Sequence, residues 1–305
     1  MSLRADPCTR VPAGARLRAT LALPAVLAVL AGCAHPPPPD PPGCPADAEI
    51  AEKVRRFHAR EMVANPPPGT SLAAAACGAR KFVAGLQPVL GPVAGYKAGL
   101  TNPAIQQRFG LTAPLRGTLL QKMLLADGAE LPAAFGARPF LEPDLVVEVG
   151  SSAVHEARTP LQVLAALRSV RPFIELADTL VQDPSKIDAA TLVMNNVGAR
   201  AGVLGAPIPV RADEAFATAL RTMTVTTTDD TGKALGSAPG TAILGDPLNA
   251  VVWLAAELKA AGITLKPGDL LSLGAFGQAP AVAGRTVTVR YQGLPGDPGV
   301  SVRFR

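Results

Sequence analysis

From Gly91 to the C-terminus, the chain is divided into short apolar runs separated by turn residues. These runs are too short for helices, and their boundaries are typical of strands. Helices are predicted only at 160–170 and 247–261. Because strands and helices segregate rather than alternate, the pattern favours an α+β fold over a doubly wound parallel sheet. The predicted strands are 93–98, 145–149, 173–176, 242–244, 270–273 and 287–291.

Two further helices are predicted before Gly91. In 46–64, the apolar residues Ile50, Val54 and Phe57 recur at helical spacing, and a second helix covers 71–90 with Thr70 or Ser71 as its N-cap. Apolar residues make up 48% of the chain and aromatics only 4%, which predicts a core of Ala, Val and Leu. No stripe of Lys and Arg with interleaved aromatics is present, so nucleic acid is not an expected partner.

The start of the chain has the three-part layout of an export signal. An arginine-bearing segment at 1–18 precedes an apolar run at 19–30, which is too short for a transmembrane span. Leu30-Ala31-Gly32-Cys33 follows and resembles a bacterial lipobox, so we expect a lipoprotein signal peptide at 1–32 and lipidation of Cys33. The alternative is a plain signal peptide with an incidental cysteine.

A proline-rich segment at 33–45 follows and is predicted to be a semi-rigid spacer. Ala34 after the cysteine favours the outer membrane, so we expect a lipid-anchored protein that faces the periplasm. In that oxidising compartment Cys44 and Cys77 would pair, or remain two partly buried thiols; the sequence leaves both open.

Three acidic residues lie in or beside apolar strands. Glu142 and Asp144 are two residues apart, so their side chains point to the same face of a strand. Glu175 lies inside another apolar run, where an unpaired acid is costly to bury. Together they would form a hard oxygen site for Mg²⁺ or Mn²⁺. Singly, Glu142 and Asp144 would mark a solvated strand end, and Glu175 would pair with an arginine.

Lys97 is a further polar residue in an apolar stretch. It either extends its ammonium to water or faces an anionic substrate. The surrounding residues resemble the 2-keto-4-pentenoate hydratase and 4-oxalocrotonate decarboxylase branch of the fumarylacetoacetate hydrolase superfamily. The motifs that carry this resemblance are Gly95-Tyr96-Lys97-Ala98-Gly99-Leu100-Thr101, Glu142-Pro143-Asp144, Ile174-Glu175-Leu176-Ala177-Asp178, Leu244-Gly245-Asp246-Pro247-Leu248-Asn249-Ala250, Lys266-Pro267-Gly268-Asp269-Leu270 and Leu273-Gly274-Ala275.

The resemblance implies a mixed β-roll or sandwich domain over 46–305, with N-terminal helices. It further implies a lyase of the hydratase or decarboxylase type, acting on a small 2-oxo acid through a metal-stabilised enolate. Glu142, Asp144 and Glu175 would hold Mg²⁺ or Mn²⁺, and Lys97 would be catalytic. The substrate-binding residues implied are Leu119, Asn195 and Gly274. Family members commonly form homo-oligomers.

Several family positions differ in this chain. The acid usually found between a proline and Gly-Thr-Leu is missing from Pro114-Leu115-Arg116-Gly117-Thr118-Leu119, where Arg116 adds a positive charge instead. Asp144 is one methylene shorter than the usual glutamate. The usual Asp-Asn-Ala-Ser segment is Asn195-Asn196-Val197-Gly198, and Leu180 replaces an arginine. The competing hypothesis is therefore a non-catalytic envelope lipoprotein that binds a small carboxylate or has a structural role.

A third hypothesis, a hydrolase that cleaves a 1,3-diketone, lacks its histidine. His35 lies in the spacer, His58 in the first helix and His155 beyond the metal strand.

Overall fold

The computed structural model describes residues 39–305, and 40–305 form one compact unit. The predicted signal peptide, Cys33 and the first part of the spacer lie outside the described residues. Residues 40–45, assigned to the spacer above, belong to the folded unit: Asp40 forms a 2.8 Å salt bridge with Lys81, and Cys44 is joined to Cys77 by a disulfide. These two links attach the segment to the second helix.

The helices begin where the sequence supplies caps. Ser71 accepts a hydrogen bond from the Ala74 N–H at 3.1 Å and starts α2, as predicted. Asp213 and Asp246 cap α6 and α7 in the same way. The helices are α1 Asp47–Ala59, α2 Leu72–Leu90, α3 Pro103–Arg108, α4 Pro160–Ala166, α5 Ala189–Met194, α6 Glu214–Thr222 and α7 Pro247–Ala260.

Thirteen strands form two sheets within residues 39–305. The larger sheet has the order β2-β1-β11-β5-β6-β7-β3, with β8 also paired to β6, and the smaller has the order β10-β9-β12-β13-β4. The strands are β1 Val93–Gly99, β2 Leu115–Leu120, β3 Leu124–Ala126, β4 Ala129–Leu131, β5 Pro139–Val149, β6 Leu167–Asp178, β7 Ala199–Leu204, β8 Ile208–Pro209, β9 Thr224–Asp229, β10 Ala234–Pro239, β11 Leu270–Ser272, β12 Thr286–Gln292 and β13 Gly299–Phe304.

The antiparallel pair β5 and β6 is the centre of the larger sheet. Its register extends from Pro139 opposite Asp178 to Val149 opposite Leu167. Pro143 is tolerated inside β5 because β11, the neighbour on the other side, pairs only with residues 146–148. Tyr291 of β12 connects the two sheets: its hydroxyl accepts from the Phe173 N–H at 3.1 Å and contacts the Asp144 carbonyl.

The main apolar core lies between the two sheets and extends under α4, α6 and α7. A second cluster packs beneath α1 and α2, and includes Phe57, Phe82 and Leu86. The mixed sheets with segregated helices confirm the predicted α+β fold. No helix within residues 39–305 combines the length and apolar character that crossing a bilayer requires.

Two predicted elements were wrong. The helix predicted over 160–170 ends at Ala166, because Leu167–Asp178 joins the sheet as β6. The strand predicted at 242–244 is instead the end of a 3-10 turn, Gly240–Ala242, and the residues after it. Both errors concern short apolar stretches, whose periodicity does not separate a helix from a strand.

Candidate active site

A cavity of about 900 Å³ opens at the end of the larger sheet. Three strands bring charged side chains to its wall: Lys97 from β1, Glu142 from β5 and Glu175 from β6. Helix α3 and residues 275–278 form much of the rest of the wall. We call this space the sheet-end cavity.

Glu142 and Glu175 lie directly opposite each other in the β5–β6 ladder. Facing residues in an antiparallel pair share one face of the sheet, with Cβ atoms about 4.5–5.5 Å apart. Two like charges at this position destabilise the strand pair unless a cation or a proton lies nearby. The pairing is therefore unfavourable for the isolated sheet and suited to cation binding.

Lys97 supplies one positive charge to this wall. Its side chain is only 3% exposed, and its ammonium forms a salt bridge with Glu175 and donates to the Val197 carbonyl at 2.9 Å. Burial lowers the pKa of Lys97, but the charges of Glu175, Glu142 and Asp144 outweigh burial, and the net shift is upward. Lys97 is thus held in its charged form.

Gly117 of β2 leaves room for the lysine side chain. A Cβ at Gly117 would lie 2.8 Å from the Lys97 Cγ and 2.9 Å from the Asn196 carbonyl oxygen. Because both distances are shorter than real contacts allow, any other residue at this position would displace Lys97 or the neighbouring backbone.

Asp144 does not line the sheet-end cavity. It is 0% exposed, and its carboxylate accepts hydrogen bonds from the Ser272 hydroxyl at 2.6 Å and the Gly274 N–H at 2.9 Å. Within residues 39–305, the oxygens of Glu142, Asp144 and Glu175 do not all lie within 4.8 Å of one another. In the metal-free structure the Asp144 carboxylate is thus engaged by β11 and by Gly274, and the predicted three-carboxylate metal site stays a prediction.

The electrostatics of the site favour a divalent cation. Burial, together with the charge of Glu175, raises the pKa of Glu142 and of Asp144 to about 7. Three carboxylates and one ammonium sum to a formal charge of −2 when all are ionised. The oxygen donors are of the kind that Mg²⁺ and Mn²⁺ prefer. The residues present thus fit such an ion, with Glu142 and Glu175 at the cavity and Asp144 behind them.

The tight turn 195–198 forms the part of the wall beside Lys97. Asn196 and Val197 both have φ 53°, a left-handed backbone that is unusual for a β-branched residue. The Asn196 side chain holds the turn: it accepts from the Thr118 N–H at 2.7 Å and donates to the Thr118 carbonyl at 2.8 Å. This conformation places the Val197 carbonyl on the Lys97 ammonium.

Of the three predicted substrate-binding residues, one lines the sheet-end cavity and two do not. Asn195 lines the sheet-end cavity, whereas Leu119 and Gly274 are buried and do not line it. Gly274 acts through its backbone, because its N–H holds Asp144. Its φ is 119°, and a Cβ would lie 2.1 Å from the Thr101 hydroxyl oxygen, so only glycine fits there.

Sequence reasoning missed two residues of the site. Gln278 donates to Glu142 at 2.8 Å, and Arg108 at the end of α3 lines the cavity. Gln278 lies three residues after the predicted segment Leu273-Gly274-Ala275, so its nearness in sequence was the available signal. The surface position of Arg108 depends on where α3 packs, and no local pattern indicates it.

His155 and the two cysteines of the described region have structural contacts. His155 accepts from the Leu265 N–H at 2.8 Å and lies 3.0 Å from the Ala255 carbonyl, so both ring nitrogens are occupied. Asp40, Cys44 and Cys77 lie close together, but both sulfurs belong to the disulfide, which leaves no thiolate for a metal.

Comparisons with known proteins agree with this geometry. A 2-keto-4-pentenoate hydratase from Paraburkholderia phymatum is 33% identical over 202 residues, which cover 66% of this chain and 74% of the relative. A 4-oxalocrotonate decarboxylase from Pseudomonas putida is 30% identical over 213 residues, which cover 70% of this chain and 77% of the relative. No protein-family model matches the chain.

A solved structure has the same architecture. The 4-oxalocrotonate decarboxylase from Pseudomonas putida G7, in complex with magnesium and adipate, superposes with a TM-score of 0.72 at 23% identity. The match covers 86% of this chain and 99% of that one. The two sheets thus define a fold of the fumarylacetoacetate hydrolase type. Within it, this chain belongs to the family of 2-keto-4-pentenoate hydratases and 4-oxalocrotonate decarboxylases. The prediction of a hydratase-like enzyme is confirmed.

Proposed function

We propose that the protein is a lyase of the hydratase or decarboxylase type that requires a divalent cation and acts on a small 2-oxo acid. The observation that carries the proposal is the pair Glu142 and Glu175, opposed across two strands at a cavity wall, with buried Lys97 beside them. The structurally similar decarboxylase is complexed with magnesium, which supports a divalent cation as the cofactor.

In this proposal Glu142 and Glu175 would hold the cation, and Asp144, which does not line the cavity, would add a nearby negative charge. The bound cation would polarise the 2-oxo group and offset negative charge that develops on the substrate. The Lys97 ammonium, held by Glu175 and by the Val197 carbonyl, would bind the substrate carboxylate or transfer a proton at Nζ.

A second candidate function is binding without turnover. The observation that favours it is the position of Asp144, which is 0% exposed, is held by Ser272 and Gly274, and does not line the cavity. Loss of a positioned acid or base typically slows a reaction by a factor of about 10² to 10⁴. This alternative predicts cation and carboxylate binding with no product.

Calorimetric titration with Mg²⁺ and Mn²⁺ tests the metal site. We expect uptake by the purified protein, and Glu142→Gln should weaken it by about tenfold or more because a carboxylate ligand is removed. Glu148→Gln is the matched control, since Glu148 lies on the same strand, pairs with Arg168 and does not line the cavity. Glu142→Gln is preferred to Glu175→Gln, which would leave Lys97 buried without its partner. Absence of uptake by the unmutated protein would contradict the proposal.

We propose further that the protein is exported and lipid-anchored at Cys33, at the periplasmic face of the outer membrane. Its support is the signal-like sequence before Cys33 and the disulfide Cys44–Cys77, since disulfides persist mainly in oxidising compartments. Cells grown with labelled palmitate should yield a labelled protein, and the Cys33→Ala variant should carry no label. A labelled variant would refute the assignment of Cys33.

A further inference from the structure

A second cavity, of about 1040 Å³, lies beneath α1 and is separate from the strands that carry Glu142 and Glu175. Helix α1, residues 63–71 and the end of α5 form its wall, and the disulfide-linked segment 42–45 closes one side. We call it the α1 cavity. Its apolar surface comes from Ile50, Val63 and Met194 and from the three prolines at 66–68.

Most polar groups of this wall already have partners within the protein. Asn65 exchanges two hydrogen bonds with the Asp183 backbone, and Thr70 donates to the Pro67 carbonyl. Glu52 forms salt bridges with Arg55 and Arg56, which neutralise its charge. These groups give the cavity its shape but offer little to a ligand.

Lys53 and Asn195 differ from the others. Lys53 is 9% exposed, its ammonium donates to the Met194 carbonyl at 2.5 Å, and it lies 4.4 Å from the centre of the Phe82 ring. Burial lowers the pKa of Lys53 to about 7, with no carboxylate to oppose it. Asn195 is 6% exposed, and within residues 39–305 its Nδ2 has no hydrogen-bond partner.

The Lys53 ammonium and Asn195 both lie at the end of α5, because the carbonyl that accepts from Lys53 belongs to Met194, the residue before Asn195. Both residues line the α1 cavity; the Lys53 ammonium is a donor only, and the Asn195 amide has donors at Nδ2 and an acceptor at Oδ1. Within residues 39–305 the buried Lys53 ammonium has no carboxylate partner and the buried Asn195 Nδ2 has no acceptor. Each of these costs free energy, and one anionic oxygen group would satisfy both. The apolar wall around them suits an aliphatic body.

We propose that the α1 cavity binds a small organic carboxylate, with the carboxylate on Lys53 and Asn195 and the aliphatic part against Ile50, Val63 and Met194. This site is independent of the proposed lyase activity. Asn195 also lines the sheet-end cavity, so the two cavities share one residue of their walls. The experiment must therefore show which of them is filled.

Hexanoate is a suitable probe, and hexan-1-ol is its uncharged counterpart. By calorimetry on the full protein without added metal, we expect hexanoate to bind at least about tenfold more tightly than hexan-1-ol, since charge-assisted hydrogen bonds exceed neutral ones. Lys53→Met should weaken hexanoate binding by about tenfold or more and leave hexan-1-ol nearly unchanged. Lys122→Met, on an exposed lysine outside both cavities, is the control. Equal hexanoate affinity in Lys53→Met would overturn the proposal.

A second measurement needs no variant. Reductive methylation with formaldehyde and cyanoborohydride, read by mass spectrometry, reports each lysine separately. Hexanoate should slow methylation of Lys53 and leave Lys122 unchanged. Protection of Lys97 without protection of Lys53 would place hexanoate in the sheet-end cavity and refute the α1 site. Neither outcome bears on whether the protein binds a metal or acts on 2-oxo acids.

Discussion

One methylene group separates Asp144 from the glutamate that the family resemblance leads one to expect. The backbone places Asp144 on the same face of β5 as Glu142, as the spacing predicted. Its side chain, however, is held by Ser272 and Gly274 and does not reach the cavity. The sequence therefore identified the right strand and the right face, while the reach of the side chain depended on contacts from β11, which is distant in sequence.

Lengthening this residue should strengthen the metal site. We expect Asp144→Glu to raise Mg²⁺ affinity by about tenfold, because a third carboxylate would then reach the cation. Calorimetry on the variant and on Asp144→Asn gives the comparison, and thermal unfolding shows whether the extra methylene strains the core. Unchanged or weaker Mg²⁺ affinity in a folded Asp144→Glu variant would show that the wall cannot accommodate a third ligand.

Protonation of the acidic residues makes stability depend on pH. In the metal-free protein, burial and Glu175 raise the pKa of Glu142 and Asp144 to about 7. Between the ordinary carboxyl pKa and about pH 7, the folded state therefore binds more protons than the unfolded chain. The contribution of Glu142 and Asp144 to the free energy of unfolding thus falls as the pH rises through this window. Mg²⁺ competes with these protons and should stabilise the fold most above about pH 7.

Differential scanning fluorimetry checks this expectation. The rise in melting temperature on adding Mg²⁺ should be larger at about pH 8 than at about pH 5. In Glu142→Gln the difference between the two pH values should shrink. An equal rise at both pH values would mean that cation binding does not displace protons from these residues.

At the scale of elements, the β5–β6 ladder and the 195–198 turn position different residues of the site. The ladder sets Glu142 opposite Glu175, and the turn presents a carbonyl to Lys97. Apolar runs predicted the cores of both strands, though not their full lengths. The left-handed turn was not predicted, because Asn196 and Val197 adopt it under the constraint of Thr118 rather than by intrinsic preference.

Removing the Asn196 side chain should release this turn. Asn196→Ala loses two hydrogen bonds and leaves the Thr118 backbone unpaired, which should lower the free energy of unfolding by about 2–4 kcal/mol. Asn65→Ala is the matched control, because Asn65 forms the same pair of bonds with Asp183 on a different loop. Urea unfolding should show a loss in both variants.

Only Asn196→Ala should also weaken binding of a 2-oxo acid such as pyruvate to the metal-loaded protein, since only its turn contacts Lys97. If both variants retain pyruvate affinity, the turn supports the fold and has no part in positioning the lysine.

For the whole molecule, sequence predicted the class of fold better than the boundary of the domain. Hydrophobic periodicity and turn residues were enough to predict an α+β fold, because both signals reflect local structure. The start of the folded unit was placed too late, since the contacts of residues 40–45 with α2 are tertiary. Alternation within a strand placed Glu142 and Asp144 on one face, whereas the pairing of Glu142 with Glu175 depends on the register of β5 and β6, which was not predicted. The α1 cavity with Lys53 and Asn195 was not predicted, because its wall joins segments that are far apart in sequence.

The disulfide should contribute measurably to stability. Cys44 and Cys77 are separated by 33 residues, and closing a loop of this size in the unfolded chain is worth about 3–4 kcal/mol by chain entropy. We expect the double variant Cys44→Ser, Cys77→Ser to lose roughly this much free energy of unfolding in urea. Dithiothreitol should destabilise the unmutated protein and leave the double variant unchanged. Equal stability of the two proteins would mean that the bond adds nothing to the fold.

The central claim is that the sheet-end cavity performs lyase chemistry on a 2-oxo acid. The most direct measurement incubates the Mg²⁺- or Mn²⁺-loaded protein with a panel of small 2-oxo acids and records the ultraviolet absorbance of enol or dienol forms. Chromatography then identifies the products. We predict turnover of at least one acid that stops on removal of the metal and falls by about 10² or more in Lys97→Met. Binding of metal and acid without any product across the panel would contradict the account and support a non-catalytic carboxylate-binding protein.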